Sequence, residues 1–331
     1  MNESSAPLPA TSTDAGPWSY SPMTFGQILD RIFSLMRRRF WPFVGIASVP
    51  TGAMFLLYAV LVALMLANRN AFIQPQPAPD ALFRLVFKLS LAATLPLAAI
   101  FAIYSGAATW AATQADLAVP IGFRAAYAVA LLRAGRYLGL LGLIALIAFG
   151  PMMLVEFGIF AVMIPLASGK TDVLSVVPFA VLPLGMLLAM VWGILVGLRL
   201  ALAFPASVAE DLPIWAAIKL SNQLAQGAKG RIFLVLLLVY AATYAACLVL
   251  MCVLLLLAGL ILLVAVALHL HMVPWGFLLA GIAGLVCFAG MFLFYAVTWA
   301  AYSTAFAVLY HDQRRRKDGA AIAAQPAGEP A

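Results

Sequence analysis

Glu156, in the run PMMLVEFGIF, is the only charged residue between Tyr137 and Ala167. An ionisable group at membrane depth costs at least about 2.5 kcal/mol, so it is expected to face a bundle interior or a wet cavity. There the carboxyl would pass a proton or hold a cation. The plainer reading is a protonated, hydrogen-bonded structural acid. Lys88, near the end of another apolar run, becomes its partner if the two segments adjoin. Arg199 lies where its long side chain would snorkel toward head groups or meet a lipid phosphate. Glu210 and Asp211 precede Pro213, as acids do at a helix start. His269 and His271 offer two imidazoles without a nearby carboxylate or thiolate, short of a zinc ligand set. The chain has no GxxxxGK[ST], HExxH or GxSxG run. No catalytic constellation, cofactor site or metal site is therefore read from it.

The elements that hold these residues are set by hydrocarbon. From Ile232 to Tyr310 the chain runs 79 residues without a Lys, Arg, Asp or Glu. About 20 apolar residues in a helix cross a bilayer, so this run crosses more than once. The chain is 65% hydrophobic and 9% charged, with a mean hydropathy of +1.06. A soluble protein carries about a quarter charged residues. The fold class is all-α integral membrane. The net charge of +7 then reports loop orientation and attraction to anionic lipid rather than nucleic acid. Cys247, Cys252 and Cys287 fall in apolar runs and read as small hydrophobes.

Six transmembrane helices are expected, at about 40–67, 85–112, 137–167, 176–204, 232–268 and 275–310, the third kinked or broken near Gly150-Pro151. Together they make a membrane domain over 23–312. Residues 1–22 are polar and Pro/Ser-rich, without the apolar core of a secretory signal, and 313–331 are basic and then Ala/Pro-rich; both read as disordered tails. Thr24 and Gln27 have the reciprocal capping pattern of a helix start. The turns that follow place Phe25, Ile28, Leu29, Ile32, Phe33 and Met36 on one face. Gln27, Asp30, Arg31, Ser34, Arg37 and Arg38 take the other. Such a helix lies in the membrane interface, apolar side down, or packs on neighbours as a soluble helix does. Further interfacial helices are expected at about 120–136 and 213–229.

With both termini and both long connectors on one side, that side collects 14 Lys and Arg and the other side 4, leaving Arg199 near the basic end. This asymmetry places both termini in the cytoplasm, with an even number of spans, in what is expected to be the cytoplasmic (inner) membrane. Arg37, Arg38, Arg39, Arg136, Arg199, Lys229 and Arg231 are the candidates for contact with anionic lipid head groups. The order of polar segment, basic residue and two spans occurs three times, opened at Arg39, Arg136 and Lys229. It reads as three repeats of interfacial helix plus helical hairpin, or simply as basic loops in any six-span protein. Gly281, Gly284 and Gly290 would let helices approach closely.

The stretch from Phe25 to Arg31, running into Arg38-Arg39-Phe40-Trp41-Pro42, resembles the start of bacterial multi-pass proteins of the glycerophosphoryl diester phosphodiesterase membrane-domain type. Phe204-Pro205 through Glu210, with Ala216 to Ile218 and Ser221, resembles a second signature. Thr304 to Asp312 resembles the C-terminal one. The likeness implies the membrane portion alone: the catalytic barrel of the namesake members has no counterpart here, so it implies no enzyme. The expected function is a structural or interaction component of the membrane, with the bilayer, anionic head groups and another membrane protein as partners. The alternative is a transporter or lipid-handling protein using Glu156.

Overall fold

The computed structural model describes residues 23–67, 79–117, 119–167, 177–267 and 274–323. Ten helices and no strand occur among them: α1 (Phe25–Arg38), α2 (Phe40–Ala67), α3 (Pro79–Asp116), α4 (Phe123–Leu132), α5 (Ala134–Ala167), α6 (Val177–Leu200), α7 (Ala203–Ala209), α8 (Ile214–Ala225), α9 (Lys229–Ala267) and α10 (Pro274–Ala323). Six are long and apolar enough to cross a membrane, over Phe40–Leu64, Leu91–Asp116, Ala134–Ile159, Leu182–Ala209, Lys229–Val264 and Gly281–Gly319. The protein is a multi-pass, all-α membrane protein. Its element order repeats: the short helices α1, α4 and α8 each precede a pair of long ones. α10 is the hub, packing on α9, α2, α3 and α1.

Prolines sit inside these helices, and the structure shows what makes them tolerable. A proline lacks the N–H that would bond the carbonyl four residues earlier. Pro50 leaves the Ile46 carbonyl free, and the Tyr127 hydroxyl of α4 donates to it at 2.7 Å. Pro151 likewise leaves the Ile147 carbonyl free, and Trp192 Nε1 of α6 donates to it at 3.0 Å. α5 therefore runs as one helix through Gly150 and Pro151, where a kink or a break was expected; it is not broken there.

α1 starts as expected. Thr24 Oγ1 accepts from Gln27 N, and Thr24 N donates to Gln27 Oε1 at 2.7 Å. Its apolar face differs from the interfacial expectation. Ile28, Ile32, Leu35 and Met36 are buried, and the helix packs on α10, α9 and α2. Protein rather than lipid covers that face: the α10 residues in the same core run from Ala296 to Tyr310, and Thr304 Oγ1 donates to Met36 Sδ at 3.6 Å. α8 also buries Ala217, Ser221, Leu224 and Ala225. It ends at Ala225, short of the expected 229, because Gln226–Ala228 form a turn with Gly227 at φ 77° before α9 starts. The expected tail at 313–331 is corrected in the same way: residues 313–323 are the last turns of α10, and 324–331 lie outside the described residues with 1–22.

The buried core sits at one end. Its largest cluster draws on Ile28 to Ala47, Ala102 to Tyr137, Leu202 to Val239 and Ala296 to Tyr310. Those segments are the ends of helices away from the turns between paired spans. At the centre α3 and α5 touch: a Cβ on Gly106 would lie 2.3 Å from the Tyr137 ring, so only glycine fits there.

Candidate functional site: a charged collar

The charged residues at the packed end form a collar, and each hairpin base carries an Arg–Asp pair. Arg31 on α1 meets Asp116, the last residue of α3, at 2.7 Å, and its NH2 donates to the Asp116 carbonyl at 2.8 Å. Arg136, in the first turn of α5, meets Asp211 beyond α7 at 2.7 Å, and Arg133 adds a second contact at 3.1 Å. Arg231, in the first turn of α9, meets Asp312 near the end of α10 at 3.3 Å. Asp116 ends α3, where the unsatisfied carbonyls make a basic partner favourable; Asp211 lies just beyond α7, and Asp312 sits inside α10, eleven residues before its last.

Asp312 is the most enclosed of the three, with no exposed surface. Its carboxylate accepts from the Met23 N–H at 2.9 Å, Arg316 Nε at 2.9 Å and Gln313 Nε2 at 3.3 Å, besides pairing with Arg231. The Met23 carbonyl in turn accepts from Arg231 at 2.5 Å and Arg316 at 2.6 Å. One buried acid thus joins the chain's first described residue to the starts and ends of the third hairpin. The partners lie as much as 293 positions apart.

Glu210 and Asp211 face opposite sides of their turn. Asp211 has φ 53°, the one non-glycine positive φ among the described residues, and Asp tolerates this backbone better than most. The Arg136 guanidinium hydrogen-bonded to Asp211 holds its carboxyl below the usual value, with Arg133 adding to the effect. Glu210 Oε1 accepts a short hydrogen bond from Tyr310 and pairs with Arg314 Nε at 3.1 Å. These residues, with Ala209 and Asp318, line a cavity of about 210 Å³. The pair was expected to serve the start of α8; instead Pro213 caps that helix, no acid lies in its first turn, and both acids hold basic residues of other helices. Ser221 closes the end of α6 nearby, donating to the Arg199 carbonyl at 2.8 Å and accepting from Leu202 N at 3.2 Å.

The candidates for head-group contact separate into two sets. Arg136 and Arg231 are committed to internal pairs. Arg37, Arg38 and Arg199 are exposed with no ion pair to a described residue, while Arg39 and Lys229 are half-buried. Alongside the exposed set stand Trp41, 75% exposed, Leu132, 88% exposed, and Trp215, 72% exposed. Tryptophan at the edge of an apolar belt marks a membrane–water boundary.

Glu156 and Lys88 are exposed, and no ion pair joins them. α3 and α5 adjoin, as the pairing required, but Glu156 lies on the outer face of α5 rather than in a bundle interior. Of the three glycines, Gly290 makes the close approach, where a Cβ would meet Leu254; Gly281 and Gly284 have nothing within 4 Å. Cys247 is buried, Cys287 half-buried and Cys252 exposed. His269 and His271 lie outside the described residues. Among the described residues no three His, Cys, Asp or Glu side chains gather as a metal site would require.

No protein-family model matches the chain, and it matches no curated protein and no solved structure.

Proposed function

We propose that the protein is a structural and interaction component of a bacterial cytoplasmic membrane, with its collar in the cytoplasm holding anionic lipid head groups. The division of the cations carries this reading. Internal Arg–Asp pairs lock the bases of the three hairpins, while Arg37, Arg38 and Arg199, without an ion pair among the described residues, can meet phosphates beside the Trp41 and Trp215 belt. A cation spent on a neighbouring carboxylate is a fastener; one left at the boundary of an apolar belt attracts anionic lipid, at about 1 kcal/mol each. The excess of Lys and Arg on the collar side supports a cytoplasmic placement. The likeness to the glycerophosphoryl diester phosphodiesterase membrane-domain group supports a place beside that group, as a member with the membrane portion alone. Its signature residues Arg31, Glu210, Ser221, Tyr310 and Asp312 are the ones that fasten the collar.

The test is retention of lipid through purification, read by native mass spectrometry from membranes of mixed anionic and zwitterionic lipid. The wild type is expected to keep anionic lipid, and the combined R37Q, R38Q and R199Q variant to lose most of it without losing its fold. Equal retention by both proteins, or substrate flux in reconstituted vesicles, would overturn the reading.

A further inference from the structure

The contact between Gly106 and Tyr137 fixes the register of the antiparallel helices α3 and α5. Glu156 lies nineteen residues beyond Tyr137 and Lys88 eighteen residues beyond Gly106. At 1.5 Å per residue these are heights of about 28 Å and about 27 Å above the contact. Two opposite charges therefore stand at one level on adjoining helices, yet each is exposed and neither has an ion pair among the described residues. α5 continues beyond Glu156 to Ala167 without another charge.

The exposed residues beside them match in height. On α3, Lys88, Leu95, Ala102 and Gly106 follow one another in helical register; the lower two are buried and Leu95 is exposed. The face that packs at the collar is thus bare higher up. On α5, Phe149, Met153 and Glu156 form one exposed stripe at three- and four-residue steps. By the same rise, Phe149 and Leu95 share a height of about 17–18 Å, and Met153 and Leu91 one of about 23–24 Å.

We infer that the outer halves of α3 and α5 form an interface with a second copy of this chain, in which Glu156 of each copy pairs with Lys88 of the other. A two-fold axis along the membrane normal leaves every height unchanged. Reciprocal pairing about it therefore requires the two groups to lie at one level, as they do here. The pairing gives a partner to Glu156, three residues inside the end of its apolar span, where an unpaired charge is costly, and to Lys88, three residues beyond the end of its own. The interface is isologous and closes at two copies.

Two differently tagged chains test this, with Cys247, Cys252 and Cys287 replaced by Ala, one carrying K88C and the other E156C. They are co-expressed and oxidised in native membranes. A covalent band containing both tags is expected. In chains without added cysteines, single-molecule photobleaching in dilute vesicles should give two steps for the wild type. E156K should lower the two-step fraction about tenfold, and K88E with E156K should restore it. E156Q should lower it less than E156K does. Wild-type protein that bleaches in one step overturns the inference whatever the variants do. So does a double reversal that fails to restore pairing, or an absent two-tag band where a chain bearing both cysteines closes an internal disulfide.

Discussion

Ala107, Ala206 and Ala307, on α3, α7 and α10, are at most 1% exposed, while Leu256 on α9 and Leu285 on α10 are 74% and 66% exposed. The same long helices run through both regions. At the collar, small residues let backbones approach, and three Arg–Asp pairs join segments far apart in the chain. Further along, the helices present large aliphatic side chains outward and carry few polar groups. The collar follows the rules of a soluble core, in which water drives burial. The outer halves follow those of lipid, where tails are as apolar as leucine and exposure costs nothing. One chain therefore meets two solvents, and stability should depend unequally on the two regions.

Five substitutions would break or sharpen that contrast, each read as unfolding free energy in mixed micelles. The largest effect is expected from D312A at the collar. It leaves Arg231, Arg316 and the Met23 N–H without their shared acceptor, at a cost of about 3–5 kcal/mol. Next is G106A, whose Cβ would lie 2.3 Å from the Tyr137 ring, for about 1–3 kcal/mol. A third pair uses one motif in both regions. Y127F and W192F each remove the donor to a proline-freed carbonyl, and each should cost about 1 kcal/mol. The W192F loss should be the greater, because the outer face of α6 has no water to replace the indole. The smallest effect belongs to the outer half: L256A should stay within about 0.5 kcal/mol, since lipid solvates either side chain.

The collar also predicts a pH response. Asp211 has its pKa lowered, chiefly by the hydrogen bond from Arg136. The stabilisation from that pair is then fully present above the ordinary aspartate value of about 3.9 and is lost as pH falls through the lowered one. Thermal midpoints of wild type and D211N should differ above about pH 4 and converge in stronger acid.

The six spans were legible because a bilayer demands apolar length, and length is visible in a sequence. The start of α1 was legible because Thr24 and Gln27 satisfy each other within one turn. Glu156 and Lys88 were legible as ionisable groups in apolar runs, but the outward direction of Glu156 depends on where its neighbours sit. The collar was not legible, since its bonds join Arg31 to Asp116, Arg136 to Asp211, and Met23 to Arg316. No local pattern announces such pairs. Asp312, beside a run of three arginines, has the composition of a solvated tail, and only the pairing with Arg231 and Met23 explains why α10 continues past it. The apolar face of α1 was visible, but its cover, protein instead of lipid, comes from Ala296 to Tyr310 of α10, at the far end of the chain.

The division between two solvents is tested most directly by site-directed spin labelling in vesicles, with labels at Arg38 and Asp318 on the collar and at Leu146, Leu154 and Leu256 on the outer halves. Relaxation by oxygen, which concentrates in lipid, is compared with relaxation by a water-soluble nickel chelate. The account predicts that the chelate dominates at both collar positions and oxygen at all three outer ones. Chelate access at Leu146 or Leu256 equal to that at Asp318 would contradict it.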